Sequence, residues 1–179
     1  MLPCAARREL AALTPVRGVY AATSRLRPAN VLISVVMKAA ILVESLTGNT
    51  WKAAELVAAN LQQAKWDITG LSKVRDPDHA SIQEADIVLV GTWTHGLFLV
   101  GQAPAGAALL SQLPAMRGKQ AAVFCTFALN PAGTLDKMTR IISGVGADVI
   151  GGLAMNRRHL DRNAEEFALR LLDAVPARR

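Results

Sequence analysis

The chain predicts an α/β domain of three layers, an open parallel sheet of five strands with helices covering both faces. Three observations carry this. Short, continuous apolar runs such as Ala39–Val43 and DIVLVG at 86–91 mark strands buried on both faces. Stretches with helical apolar spacing alternate with those runs from Lys38 to the end. Hydrophobic residues make up 51% of 179 residues, enough to build one domain with a substantial core.

The elements follow in order. Ala39–Val43 reads as the first strand, and residues 49–64 as a helix with apolar positions at Ala53, Ala54, Leu56, Val57 and Leu61. Residues 66–71 alternate as a short strand, and Arg75-Asp76-Pro77-Asp78 is a turn. Asp86–Gly91 is a third strand, followed by a loop rich in Gly, Thr and aromatics. Residues 103–112 suit a helix with Pro104 in its first turn. Residues 119–126 form the fourth strand, 131–145 a helix closing on Gly144 and Gly146, 148–154 the last strand and 161–175 the last helix.

Residues 1–36 stand apart. They show no regular period, are broken by Pro3, Pro15 and Pro28, and hold five arginines against one acid, Glu9. This leader carries +4 of the net +6, so the domain itself is only weakly basic and gives little reason to expect nucleic acid. It lacks the apolar segment of a secretory signal. The expectation is a disordered leader outside the native protein, with Met37 the true start and 37–179 the domain. A transit peptide is the other reading. No apolar run approaches the roughly 18 residues of a membrane span. Two cysteines, Cys4 and Cys125, build no disulfide framework or zinc site, so a cytoplasmic location is expected.

A parallel sheet binds ligands beyond the carboxyl ends of its strands, where strand order reverses. The loop there after the first strand is Ser45-Leu46-Thr47-Gly48-Asn49-Thr50. Unpaired N–H groups and the dipole at a helix start favour an anion, three hydroxyls add donors, and Gly48 lets the backbone close around phosphate oxygens. An ordinary helix cap by Thr47 or Asn49 is the plainer alternative. No lysine follows as in a nucleoside-triphosphate loop, and no GxGxxG is present.

Ser45, Thr47, Gly48 and Thr50 match [ST]-x-T-G-x-T directly after a first strand, which resembles the phosphate loop of flavodoxins. The 143 residues from Met37 onward are close to a short-chain member. The resemblance implies the flavodoxin-like strand order 2-1-3-4-5, bound FMN, and electron transfer with a redox partner protein. It also implies a second flavin loop at Thr92, Trp93, Thr94, His95 and Gly96, where Gly91-x-x-Thr94 matches the family spacing. His95 takes the slot of the ring that stacks on the flavin, with Trp93 and Phe98 nearby; Trp93 in the core and His95 on the surface is the alternative. In the third loop the resemblance implies Phe127 as a second ring and Cys125, Thr126 and Asn130 as flanking contacts. Asn130 before Pro131 reads equally as a helix cap, and Cys125 as a small buried side chain.

One departure from the family pattern stands out. Typical flavodoxins crowd carboxylates around FMN, whereas residues 92–116 and 123–135 contain no Asp or Glu. The expected function is an electron carrier between a reductase and an acceptor. An FMN-dependent NAD(P)H reductase acting on a quinone, or an interaction domain without flavin, are the rivals. No nicotinamide motif, metal cluster or catalytic triad is visible in the sequence, and Arg157-Arg158-His159 reads as a solvated patch, with docking of an acidic redox partner as the alternative.

Overall fold

The computed structural model describes residues 36–95 and 102–175. The expected leader lies outside them, save Val36, as do Gly96 and Phe98. Eleven elements are present among the described residues: β1 (Lys38–Val43), α1 (Asn49–Gln63), β2 (Asp67–Lys73), α2 (His79–Glu84), β3 (Ile87–His95), β4 (Ala103–Pro104), α3 (Ala107–Leu110), β5 (Gln120–Phe127), α4 (Thr134–Gly144), β6 (Asp148–Asn156) and α5 (Leu160–Ala174). Five parallel strands run in the order β2-β1-β3-β5-β6, which is the order 2-1-3-4-5 when the two-residue β4 is set aside. β4 pairs antiparallel with the end of β3.

Burial on both faces explains why the strands read as unbroken apolar runs. Along β1, Ala39, Ile41 and Val43 join one core with Val57 and Leu61 of α1 and Phe167 and Leu171 of α5. Leu42 points the other way, into a second core with Val88, Val90, Met138 and Ile142. Each such side chain stabilises by roughly 1.5–3 kcal/mol on full burial, and helix periodicity on α1, α4 and α5 follows from the need to cover the two faces.

The main departures from the sequence expectation are three boundaries and one added helix. β3 runs four residues further, to His95, because Thr92 and Trp93 continue to pair with Cys125 and Thr126 of β5, and Thr94 and His95 pair with β4. The expected helix over 103–112 shrinks to 107–110: Pro104 sits in β4, and Gly106 at φ 67 turns the chain only afterwards. α4 starts at Thr134 rather than Pro131, since Ala132 takes a left-handed φ of 37 and Gly133 becomes the cap. α2 was not foreseen. It holds six residues, too few for a period, and depends on Asp78 accepting from Ala80 and Ser81 N–H groups.

The Ser81 hydroxyl also donates to Asp78 at 2.6 Å, and these bonds hold the Asp78 carboxyl below its ordinary range. No helix among the described residues is long and apolar enough to cross a membrane.

Candidate functional site

The loop after β1 begins where Glu44 N–H closes the last rung onto Gly91 O at 2.8 Å. Glu44 turns its carboxylate inward, 3% exposed, and Arg75 at the end of β2 reaches it with both Nη2 and Nε. The pair matters because an unpaired carboxylate here would oppose an anion on the adjacent loop. Gly48 then adopts φ 83 at the N-cap of α1, a left-handed conformation that glycine takes without steric cost. No side chain caps the helix, so neither Thr47 nor Asn49 acts as an ordinary cap; instead Asn49 Nδ2 donates to Thr47 Oγ1 at 3.0 Å. Ser45 Oγ accepts a long bond of 3.4 Å from Trp51 N–H. The N–H groups of residues 47–50 have no acceptor among the described residues. A 15-residue helix thus starts in a loop of hydroxyls with only one first-turn N–H, that of Trp51, meeting a side chain, and that at a long 3.4 Å.

The other two loops meet the first at one cleft. Leu46, Thr47 and Asn49 form one wall, Trp93 and Thr94 another, and Thr126, Phe127, Ala128 and Arg157 the rest, around about 160 Å³. A buried bond of 2.8 Å between the Thr50 and Thr126 hydroxyls ties the first loop to the third. Two half-buried rings, Trp93 and Phe127, therefore share the cleft, while His95 is exposed at the strand end and is not among its walls. Thr92 and Cys125 lie inside the protein: the Thr92 hydroxyl donates to Ala105 O at 2.8 Å, and Cys125 is fully buried. Asn130 is exposed and accepts from Ala132 N–H at 2.9 Å, closing a turn rather than capping α4.

Arg157, read from sequence only as part of a solvated patch, lines the cleft. Its N–H bonds Phe127 O at 3.0 Å, and Asn156 braces the same turn by accepting from Arg158 N–H at 2.9 Å. These bonds hold Arg157 at the cleft wall. The available signal was position alone: Arg157 directly follows the last strand of a parallel sheet, on the edge where ligands bind.

Burial pushes the Cys125 thiol up to about 11 from 9.0, and the neighbouring Thr94 hydroxyl offsets only part of that. A raised thiol favours the protonated form in the fold. The associated stability is complete below 9.0, the value of an unfolded thiol, and is lost as pH rises toward about 11. Denaturation midpoints should fall across that window by the equivalent of roughly 2–3 kcal/mol, and Cys125→Ala should remove this share of the slope. An unchanged slope in the variant would contradict the assignment.

A family model described as Flavodoxin domain matches residues 40–146. The chain belongs to the flavodoxin domain family. Among solved structures, it is similar to the Streptococcus pneumoniae TIGR4 flavodoxin at 25% identity, with a TM-score of 0.57 over 77% of this chain and 99% of that one. Oxidised Flavodoxin 2 from Bacillus cereus matches at 19% identity and a TM-score of 0.60, covering 77% and 99%. Two-electron reduced Megasphaera elsdenii flavodoxin matches at 19% and 0.56, covering 73% and 98%. No curated protein matches the chain.

A flavodoxin domain implies a flavin, and the residues present fit one. The uncapped start of α1 suits a phosphate. The Trp93 and Phe127 rings suit a flat heteroaromatic. Thr94 Oγ1 is buried on the cleft wall beside the Cys125 thiol and has no nitrogen or oxygen partner among the described residues, which suits the polar edge of such a ring.

Proposed function

We propose that this flavodoxin domain binds FMN and carries electrons between a reductase and an acceptor protein. The observation that supports it is the meeting of two sites on one sheet edge, an uncapped hydroxyl loop on α1 and a two-ring cleft beside it. Ser45, Thr47 and the N–H groups around Gly48 would hold the phosphate. Trp93, Phe127 and Thr94 would hold the ring. The flavin supplies the redox chemistry, and the chain's part is to bind it, exclude water from its faces and set its electrostatic surroundings.

Purified protein should be yellow, and the apo form should take up FMN to one equivalent. Colourless protein that ignores added FMN would support the flavin-free interaction domain instead. NAD(P)H consumption by the purified protein alone would favour the reductase reading.

The surroundings also bear on potential. Among the described residues no carboxylate lines the cleft, and Arg157 stands on its wall. Fewer negative charges near the ring ease formation of an anionic reduced flavin. The second-electron potential is expected to be less negative than that of a low-potential flavodoxin. An anaerobic redox titration that returns a very low value would contradict this.

A further inference from the structure

The rim of the cleft has an unusual composition for a surface. Two of the four large hydrophobic side chains that stand exposed among the described residues are Leu46, at 76%, and Leu129, at 72%. Both exceed the other two, Val36 at 47% and Leu169 at 56%. Leu46 belongs to the cleft wall, and Leu129 follows Ala128 of the opposite wall. Holding such side chains in water is unfavourable relative to burying them. Their placement on both sides of one opening is the pattern of an interface core, not of scattered surface residues.

The charge on the cleft wall itself is positive. Arg157 and Arg158 are exposed where the last strand ends. Among the described residues, the cleft-wall segments 45–51, 92–95, 126–130 and 156–160 contain no Asp or Glu, and the carboxylate next to them on α1, Glu55, accepts from Trp51 Nε1 at 3.1 Å. Asp136 and Asp161 come only in the first turns of α4 and α5 beyond them, and Glu44 is buried against Arg75. Apolar contacts framed by arginine and free of carboxylates match a partner of opposite charge. A basic partner would meet two uncompensated guanidinium groups.

We infer that the cleft rim is a docking surface for an acidic redox protein, one whose own face sets carboxylates around an apolar patch. Leu46 and Leu129 supply the buried centre, and Arg157 and Arg158 steer and register the encounter. The inference rests on the electron-carrier reading for its purpose, but its charge and position can be tested apart from flavin.

Two measurements decide it. In the first, isotope-labelled protein is titrated with a synthetic polyglutamate peptide carrying two leucines, and with its polylysine counterpart. Shift changes should come from the glutamate peptide only, centre on residues 46–48, 128–130 and 156–158, and weaken with salt. Changes centred elsewhere, or none, overturn the surface assignment whether or not flavin binds. In the second, protein loaded with FMN and chemically reduced is oxidised by anionic ferric-EDTA or by cationic cobalt(III) hexaammine. Oxidation by the anion should slow as ionic strength rises, and that by the cation should quicken. Arg158→Glu should slow the anionic oxidant by roughly threefold to tenfold at low salt and converge on the native rate at high salt. Rates indifferent to salt or faster with the cation at low salt overturn the proposal. Failure to take up FMN overturns the electron-carrier reading instead, and the peptide titration then judges the surface alone.

Discussion

Gly91→Ala is expected to destabilise the domain by roughly 3 kcal/mol. Gly91 lies mid-sheet, with β1 on one side through Val43 and β5 on the other through Phe124. A Cβ there would stand 2.1, 2.4 and 2.7 Å from three ring atoms of Phe124, well inside contact distance. The ring has nowhere to move. Phe124 is fully buried and packs against Phe167 of α5, with centroids 5.7 Å apart and planes tilted by 55°.

The backbone at Gly91 has no positive φ, so the cost is one of space and not of strain. That distinction gives a second test. Adding Phe124→Leu should return part of the lost stability, although Phe124→Leu alone costs some. Chemical denaturation of the two single variants and the double variant measures the coupling. Strictly additive losses would show that Phe124 is not what Gly91 accommodates.

The same glycine shows where sequence was readable and where it was not. Gly91 and Thr94 carried the resemblance of the second flavin loop, yet Gly91 makes room for a core ring, and the strand continues past it to His95. The main strands and long helices were legible because two-sided burial and helical spacing are properties of contiguous residues. β4, α3 and the late start of α4 depend on Gly106, Ala132 and a pairing with β3 that no local pattern encodes. Within the site, the hydroxyl density of residues 45–50 was visible because it is local. The place of Arg157 on the cleft wall was not, because what brings it there is a bond to Phe127 thirty residues away.

Thr47→Asp is expected to weaken FMN binding by about 100-fold, near 2.7 kcal/mol, while leaving the fold intact. Thr47 is exposed, lines the cleft and, among the described residues, accepts from Asn49 alone, so the substitution disturbs no packing. A carboxylate at this point would face a phosphate dianion at short range. Even with surface screening, that repulsion is worth a few kcal/mol, and the hydroxyl donor is lost as well.

The sign for folding is opposite. A negative charge one residue before the cap of α1 meets the positive end of the helix, which has no side-chain cap of its own. Apo stability should therefore hold or rise by a few tenths of a kcal/mol. A variant that merely damaged the loop would lose both properties together, so the split itself is the evidence. Riboflavin, which lacks the phosphate, separates the loop from the ring cleft. Its affinity should change little, and Thr47→Ser should bind FMN nearly as the native protein does. Calorimetric titration of the apo proteins with both ligands makes the comparison. Equal FMN affinity in Thr47→Asp would remove the phosphate from this loop, and equal losses for FMN and riboflavin would place the damage at the rings.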